Sequence, residues 1–197
     1  ARALAGGQSL VAMMNLGLVA PKRLIGLRRI EGLSGIRTLP DGGVRIAAMT
    51  THAELAAFAP HAAGPRLVTL AARVVAYPAV RNQGTVGGAV ALADPSADYP
   101  CALVAADASI EIASTSGTRL VAAADFFRGV FETALDAGEL VSAIHVPPGP
   151  ADAGAHFPAH RFGRSLHFPQ NFVDASLNQG GFCCGEIFRR GLPGALQ

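Results

Sequence analysis

Two stretches of this 197-residue chain hold residue types spaced for anion chemistry. The first is Ala5-Gly6-Gly7-Gln8-Ser9-Leu10, between a run that reads as a strand and one that reads as a helix. Glycines let the backbone turn tightly and approach a ligand with no Cβ in the way. The N–H groups at the start of the next helix then point at that ligand, and the helix end favours negative charge. Phosphate is the group such a loop suits, although an ordinary strand–helix turn is the commoner explanation of a lone glycine pair. The second stretch, Arg81-Asn82-Gln83-Gly84-Thr85-Val86-Gly87-Gly88, again sets paired glycines beside a small hydroxyl residue. Two such loops can hold the two phosphates of a dinucleotide, one from each side. Neither carries the Lys-Ser/Thr of a P-loop, and neither is G-x-G-x-x-G, so a Rossmann-type site is disfavoured.

Other reactive side chains form no comparable pattern. Cys183-Cys184 lacks zinc-ligand spacing and has no histidine following it. Cys101 falls in an apolar run and reads as a small core residue. His52, His61, His145, His156, His160 and His167 match no ligand motif. His156 and His160 are four apart, but Pro158 and a strand-like pattern argue against a helical metal pair. Ser9 and Thr85 have no His/Asp partners arranged for nucleophilic catalysis. Arg28-Arg29 and Arg189-Arg190 read as solvated charges.

The elements that must position the two loops follow from periodicity and punctuation. Residues 1–5 read as a strand end, and Gln8 to Leu18 as a helix with Ser9 as N-cap. Leu24–Arg28 suits a second strand, and 35–49 a hairpin turning at Asp41-Gly42-Gly43 with Val44, Ile46 and Ala48 on one face. Thr51-His52-Ala53-Glu54 has capping-box form and predicts a helix start. A helix over 65–76, with Leu67, Leu70, Val74 and Val75 inward, ends at Tyr77-Pro78. Ala97–Ala106 predicts another helix, Ile110–Ala113 and Thr118–Val121 a hairpin, and Ala123–Phe127 a short helix. Glu139–Val146 reads as a strand stopped by Pro147-Pro148, and 155–162 as one more. Strands and helices mixed in this way predict an α+β or mixed α/β architecture.

Composition narrows the function classes. Half the residues are hydrophobic and 15% are charged, so the chain is not of the disordered type. Sixteen basic against 14 acidic residues give a net charge of +2, which offers nucleic acid no electrostatic footprint. No apolar run reaches the ~18–20 residues that span a bilayer. Three cysteines form no disulfide framework, which suits a cytoplasmic protein.

AGGQSL at 5–10 followed by RNQGTVGGAVALADPSADYP at 81–100 resembles the FAD-binding medium subunit of the molybdenum hydroxylases, the family of xanthine dehydrogenase and aerobic carbon monoxide dehydrogenase. VRIAAMTTHAEL at 44–55, AADFFRGVFETAL at 123–135 and ELVSAIHVP at 139–147 add to the resemblance, which extends over about 1–164. It implies an α+β fold shared with the vanillyl-alcohol oxidase group, FAD as cofactor, and both glycine loops around its pyrophosphate. Carried over position by position, Ala5, Gly6, Gly7, Gln8, Ser9 and Leu10 make the first loop, and Thr85, Val86, Gly87, Gly88 and Ala89 the second. Asp98, the last acid of DPSAD, matches an aspartate that contacts the cofactor. As a carboxylate it would accept hydrogen bonds from cofactor hydroxyls. Val141 aligns with an apolar flavin contact and Arg161 with a basic one. The resemblance implies an oxidoreductase in which a large molybdopterin subunit oxidises the substrate. A small 2Fe-2S subunit relays the electrons, and the flavin subunit hands them to NAD, a quinone or oxygen. A cysteine cluster for iron–sulfur binding is not found in this chain, in keeping with that division of labour.

Where the resemblance stops, the composition changes. Of the alanines, 36 lie in residues 1–164 and two in 165–197, and the latter segment holds four of the ten Phe. The expected organisation is an FAD-binding domain over 1–164 and a divergent tail over 165–197 in place of the family's C-terminal domain. A reading-frame change and a genuine alternative C-terminus both account for that tail. Family members also have a strand and helix before AGGQS. A sequence starting at Ala1 is therefore expected to lack one strand and to expose a sheet edge. Two other functions stay open on these grounds: a flavin-free relic that only docks subunits, and an independent flavin oxidase of related fold.

Overall fold

The computed structural model describes residues 1–149. The chain begins with β1 (Arg2–Leu4), α1 (Leu10–Asn15) and β2 (Leu24–Gly26). The two strands pair in parallel, Arg2 opposite Leu24 and Leu4 opposite Gly26. Parallel neighbours need a long crossover, and the first glycine loop and α1 lie within it. α1 is shorter than the pattern over Gln8–Leu18 predicts. No residue of it is buried, so no core face holds it beyond Leu16, and Gly17 then turns out of the helix at φ +71°. Ser9 occupies the N-cap position, but its side chain makes no capping hydrogen bond.

β3 (Ile36–Thr38) and β4 (Val44–Ala47) form the hairpin expected around Asp41-Gly42-Gly43. α2 (His52–Ala57) starts with the capping box: Thr51 Oγ1 accepts from Glu54 N–H, and Glu54 Oε2 accepts from Thr51 N–H. α3 (Ala63–Val74) buries Leu67, Val68, Ala71 and Ala72. Val74, expected inward, is instead exposed, because the helix ends at it and Ala76 turns away at φ +42°. Pro78 does more than stop a helix. It opens α4 (Pro78–Arg81), where its missing N–H costs nothing in the first turn. The glycine-rich stretch begins a helix too, α5 (Val86–Leu92), which sequence periodicity did not predict.

α6 (Asp98–Ala105), the hairpin β5 (Ser109–Ser114) and β6 (Gly117–Ala122), and α7 (Ala123–Phe126) fall close to expectation. β7 (Phe127–Gly129) and β8 (Glu132–Thr133) add a small hairpin inside the AADFFRGVFETAL segment. β9 (Leu140–Val146) then returns to the main sheet. That sheet is antiparallel throughout and ordered β3-β4-β9-β5-β6. The latest strand among the described residues therefore sits at its centre, between two strands about 65 residues apart in sequence.

The sheet has a dry and a wet face. Val44, Ile46, Ile110, Ile112, Ile144 and Val146 point into a core shared with Val68, Val90, Leu103 and Phe126 of the helices. Each such side chain contributes about 1.5–3 kcal/mol by leaving water. On the other face, Glu111 accepts from Arg45 Nη2 at 2.8 Å and from Ser142 Oγ at 2.7 Å, and its Oε2 lies 2.8 Å from His145 Nε2. Alternation at period two separates these sets. A register shift between Glu111 and Ile112 gives Ser142 its place against Glu111. The boundary expected at 164, the strand expected over 155–162, His156, His160, His167, Cys183-Cys184, Arg189-Arg190 and the tail all lie outside the described residues.

Candidate functional site

The two glycine loops, about 80 residues apart in sequence, meet in space. A Cβ on Gly6 would collide with the Gln83 carbonyl oxygen and lie 2.8 Å from Gly84 Cα. A Cβ on Gly88 would lie 3.4 Å from the Ala5 methyl and 2.9 Å from Thr85 Oγ1. At Gly6 backbone therefore packs directly on backbone, which only glycine permits there, while Gly88 is crowded by the Thr85 hydroxyl of its own loop. Arg28 Nη2 donates to Gln83 Oε1 at 2.9 Å and fastens the segment after β2 to the second loop. That task was hidden in a residue pair whose sequence reads as solvated charge.

The first loop has unspent donors. Among the described residues, the backbone N–H groups of Gly6, Gly7, Gln8, Ser9 and Leu10 donate to no acceptor, and the Ser9 hydroxyl has no partner. Gly7 sits at φ +76°, a left-handed conformation of the kind found in anion-binding backbone turns. The donors belong mostly to the loop itself, since α1 has six residues and little dipole to add. Five free amides in a row, the first two with no Cβ beside them, fit the pyrophosphate of a dinucleotide.

The second loop is built differently. Val86 N–H donates to Thr50 O at 2.9 Å, Gly87 N–H to Ala48 O at 2.8 Å, Gly88 N–H to Thr85 Oγ1 at 3.3 Å and Ala89 N–H to Thr85 O at 3.0 Å. Its amides hold the loop to the end of β4 and start α5. A Cβ on Gly87 would strike Ala48, so this glycine is a packing requirement. Thr85, Val86 and Gly87 are buried, while Gly88 and Ala89 are half-buried and supply the loop's outer surface. Arg81, at the head of the loop, is consumed locally: one Nη1 donates to Val75 O and Ala76 O at 2.9 and 2.8 Å.

Asp98 opens α6, one residue before Tyr99. Burial pushes its carboxyl above the ordinary aspartate range, against a smaller pull from its own backbone N–H. Val141, on β9, is 5% exposed and belongs to the hydrophobic core. Arg161 lies outside the described residues. Cys101 is half-buried on α6.

Sequence reasoning missed the residues beneath the second loop. His52 and Tyr99 are both buried, and His52 Nδ1 lies 2.9 Å from Tyr99 Oη with the rings stacked. Burial, aided by the positive charge of Arg81, lowers the imidazole to about 4. Burial, with Asp98 nearby, raises the phenol. The capping box marked residue 52 as a helix start, but nothing local marked it as a partner of residue 99.

Comparison with known proteins gives the family. The family described as FAD binding domain in molybdopterin dehydrogenase matches residues 1–149. The chain is 40% identical to the glyceraldehyde dehydrogenase medium chain of Sulfolobus acidocaldarius over 146 residues, 74% of this chain and 52% of that one. It is 38% identical over 154 residues to the carbon monoxide dehydrogenase medium chain of Afipia carboxidovorans, covering 78% and 53%. The solved structure of carbon monoxide dehydrogenase from Hydrogenophaga pseudoflava superposes with a TM-score of 0.72 at 39% identity, over 76% of this chain and 52% of that one. The chain thus spans about half the length of the curated relatives it matches.

Proposed function

Because the chain belongs to the family of FAD-binding domains of molybdopterin dehydrogenases, we propose that it is the flavin-holding part of a medium chain in a molybdenum-containing oxidoreductase. FAD, when bound, supplies reversible electron uptake and release. The observation that carries the reading is the contact between two glycine loops, one of which keeps its amides unspent. In this reading the N–H groups of Gly6, Gly7, Gln8, Ser9 and Leu10 and the Ser9 hydroxyl hold the pyrophosphate, with Ala5 lining the turn. Thr85, Val86 and Gly87 set the position of the opposing wall, and Gly88 and Ala89 form its surface. Asp98 accepts a hydrogen bond from a cofactor hydroxyl. Val141 and Arg161 are the apolar and basic contacts that the family resemblance suggests.

The wider assembly is part of the same proposal. A large molybdopterin chain and a small 2Fe-2S chain would supply electrons, and NAD, a quinone or oxygen would take them. Relatives named as medium chains support that assembly. A cytoplasmic place for it is supported by the low cysteine count. No helix among the described residues is long and apolar enough to cross a membrane. A flavin-free docking relic and an independent flavin oxidase are not favoured by these comparisons.

The test is an FAD titration of the full chain, read by flavin absorbance and fluorescence. Stoichiometric binding with a protein-bound flavin spectrum is expected. Ser9 is exposed and its side chain unbonded, so Ser9→Asp should leave the fold intact. Its carboxylate would occupy the amides meant for phosphate and weaken FAD by about tenfold or more. A wild-type chain that takes up no FAD overturns the reading.

A further inference from the structure

His52 and Tyr99 have no task in the site as described, yet they join every segment that builds it. His52 is the first residue of α2 and is 4% exposed; Tyr99 is the second of α6 and is 1% exposed. The rings stack at 5.3 Å between centroids, and Nδ1 and Oη are 2.9 Å apart. From this pair, contacts run outward in three directions. The His52 N–H donates to Gly84 O at 3.1 Å, and a Cβ on Gly84 would lie 2.7 Å from His52 Cδ2 and 2.8 Å from Nε2. Gly84 therefore rests on the imidazole, and Gly6 of the first loop rests on Gly84. Thr51, one residue before His52, pairs with Thr85 in an antiparallel bridge. Tyr99 follows Asp98 directly.

An apolar pair could fill the same volume without burying polar atoms. What a hydrogen bond adds is direction: it fixes the angle between the starts of α2 and α6. Charged groups on the surrounding elements are otherwise engaged or opposed to a charged imidazole. Glu54 bonds back to Thr51, Arg73 of α3 donates to Ala56 O, and Arg66 of α3 is exposed. Arg81 of α4 opposes protonation, and Asp98 of α6 acts on Tyr99.

We propose that His52 and Tyr99 are positioning residues for the dinucleotide: their hydrogen bond holds the second glycine loop against Gly6 and fixes the start of the helix that carries Asp98. This rests on the FAD-binding reading above. The pair works with His52 neutral, when one ring nitrogen accepts and the other donates.

The experiment compares the full wild-type chain with Tyr99→Phe, His52→Leu and His52→Gln, the last keeping a polar partner for the phenol. Three quantities are read: the FAD dissociation constant with its bound-flavin spectrum, the melting temperature without FAD, and hydrogen exchange of the Val86–Ala89 amides without FAD. Tyr99→Phe and His52→Leu should weaken FAD about tenfold and speed loop exchange comparably, while the melting temperature moves by only about 3 °C. His52→Gln should recover most of the affinity. Wild-type affinity and exchange in Tyr99→Phe overturn the inference, as does a loss of affinity no larger than the loss of global stability, or failure of His52→Gln to rescue. A wild-type chain that binds no FAD overturns the parent reading and this one together; a wild type that binds, beside an unaffected Tyr99→Phe, overturns this one alone.

Discussion

Gly7 and Gly87 look alike in sequence and do different work. Gly7 holds φ +76° beside free amides, whereas Gly87 has no room for a side chain against Ala48. Gly87→Ala is therefore expected to lower stability by about 1–3 kcal/mol through overpacking, read as a shifted urea midpoint with an unchanged slope. A loss of FAD in any Gly87 variant then reports a displaced wall, which is why Ser9→Asp is the cleaner probe. His52 makes a prediction in pH. Its folded-state value of about 4 lies below the ordinary 6.5, so between these values the unfolded chain binds the extra proton. Stability is expected to fall as pH drops from 6.5 toward 4. Thermal melts of His52→Gln over that window should show a flatter pH dependence than wild type, and equal slopes would dismiss the idea.

At the scale of elements, the turn between α3 and α4 concentrates strain and its relief. Ala76 sits at φ +42°, a left-handed conformation that costs an alanine about 1 kcal/mol. Arg81 offsets it by bonding the Val75 and Ala76 carbonyls. Ala76 is exposed and its methyl packs nothing away, so Ala76→Gly should raise stability by about 0.5 kcal/mol in chemical denaturation. A decrease would mean that chain entropy outweighs the strain. Thr51 joins two jobs, capping α2 and pairing with Thr85. The bridge ties the α2 start to the second loop, so the helix cap is part of what holds that loop in place.

Across the whole molecule, helices cover one face of the sheet and a charged network covers the other. Glu111 is held down to about 2, first by its hydrogen bonds from Arg45, with His145 and Ser142 adding to it against some desolvation. Its folded-state value lies below the ordinary 4.5, so its stabilisation is full above 4.5 and is lost as pH falls toward 2. Glu111→Gln should cost about 1 kcal/mol at pH 7, since the network is partly exposed, and should remove that acid-limb slope. A variant that keeps the wild-type slope from 4.5 to 2 would assign it elsewhere. This window overlaps the one set by His52 only between 4 and 4.5, so one pH series distinguishes them.

Much of this was legible in residue order. The capping box at Thr51–Glu54, the hairpin at Asp41-Gly43 and the alternation of Val44 and Ile46 are local patterns, and each formed where its chemistry predicts. The family resemblance named FAD, which the family match bears out, and the pair of glycine loops gave the site proposed for it. Other features were decided only by the tertiary structure. β9 enters between β4 and β5, and α5 starts inside a glycine-rich run because Ala48 and Thr50 receive its first amides. His52 lies under Gly84, and the first loop keeps the donors that the second has spent. Periodicity and caps are set by neighbours within a few residues, so sequence alone determined them. Which amides remain free depends on acceptors tens of residues away, and only the folded chain brings those acceptors within reach.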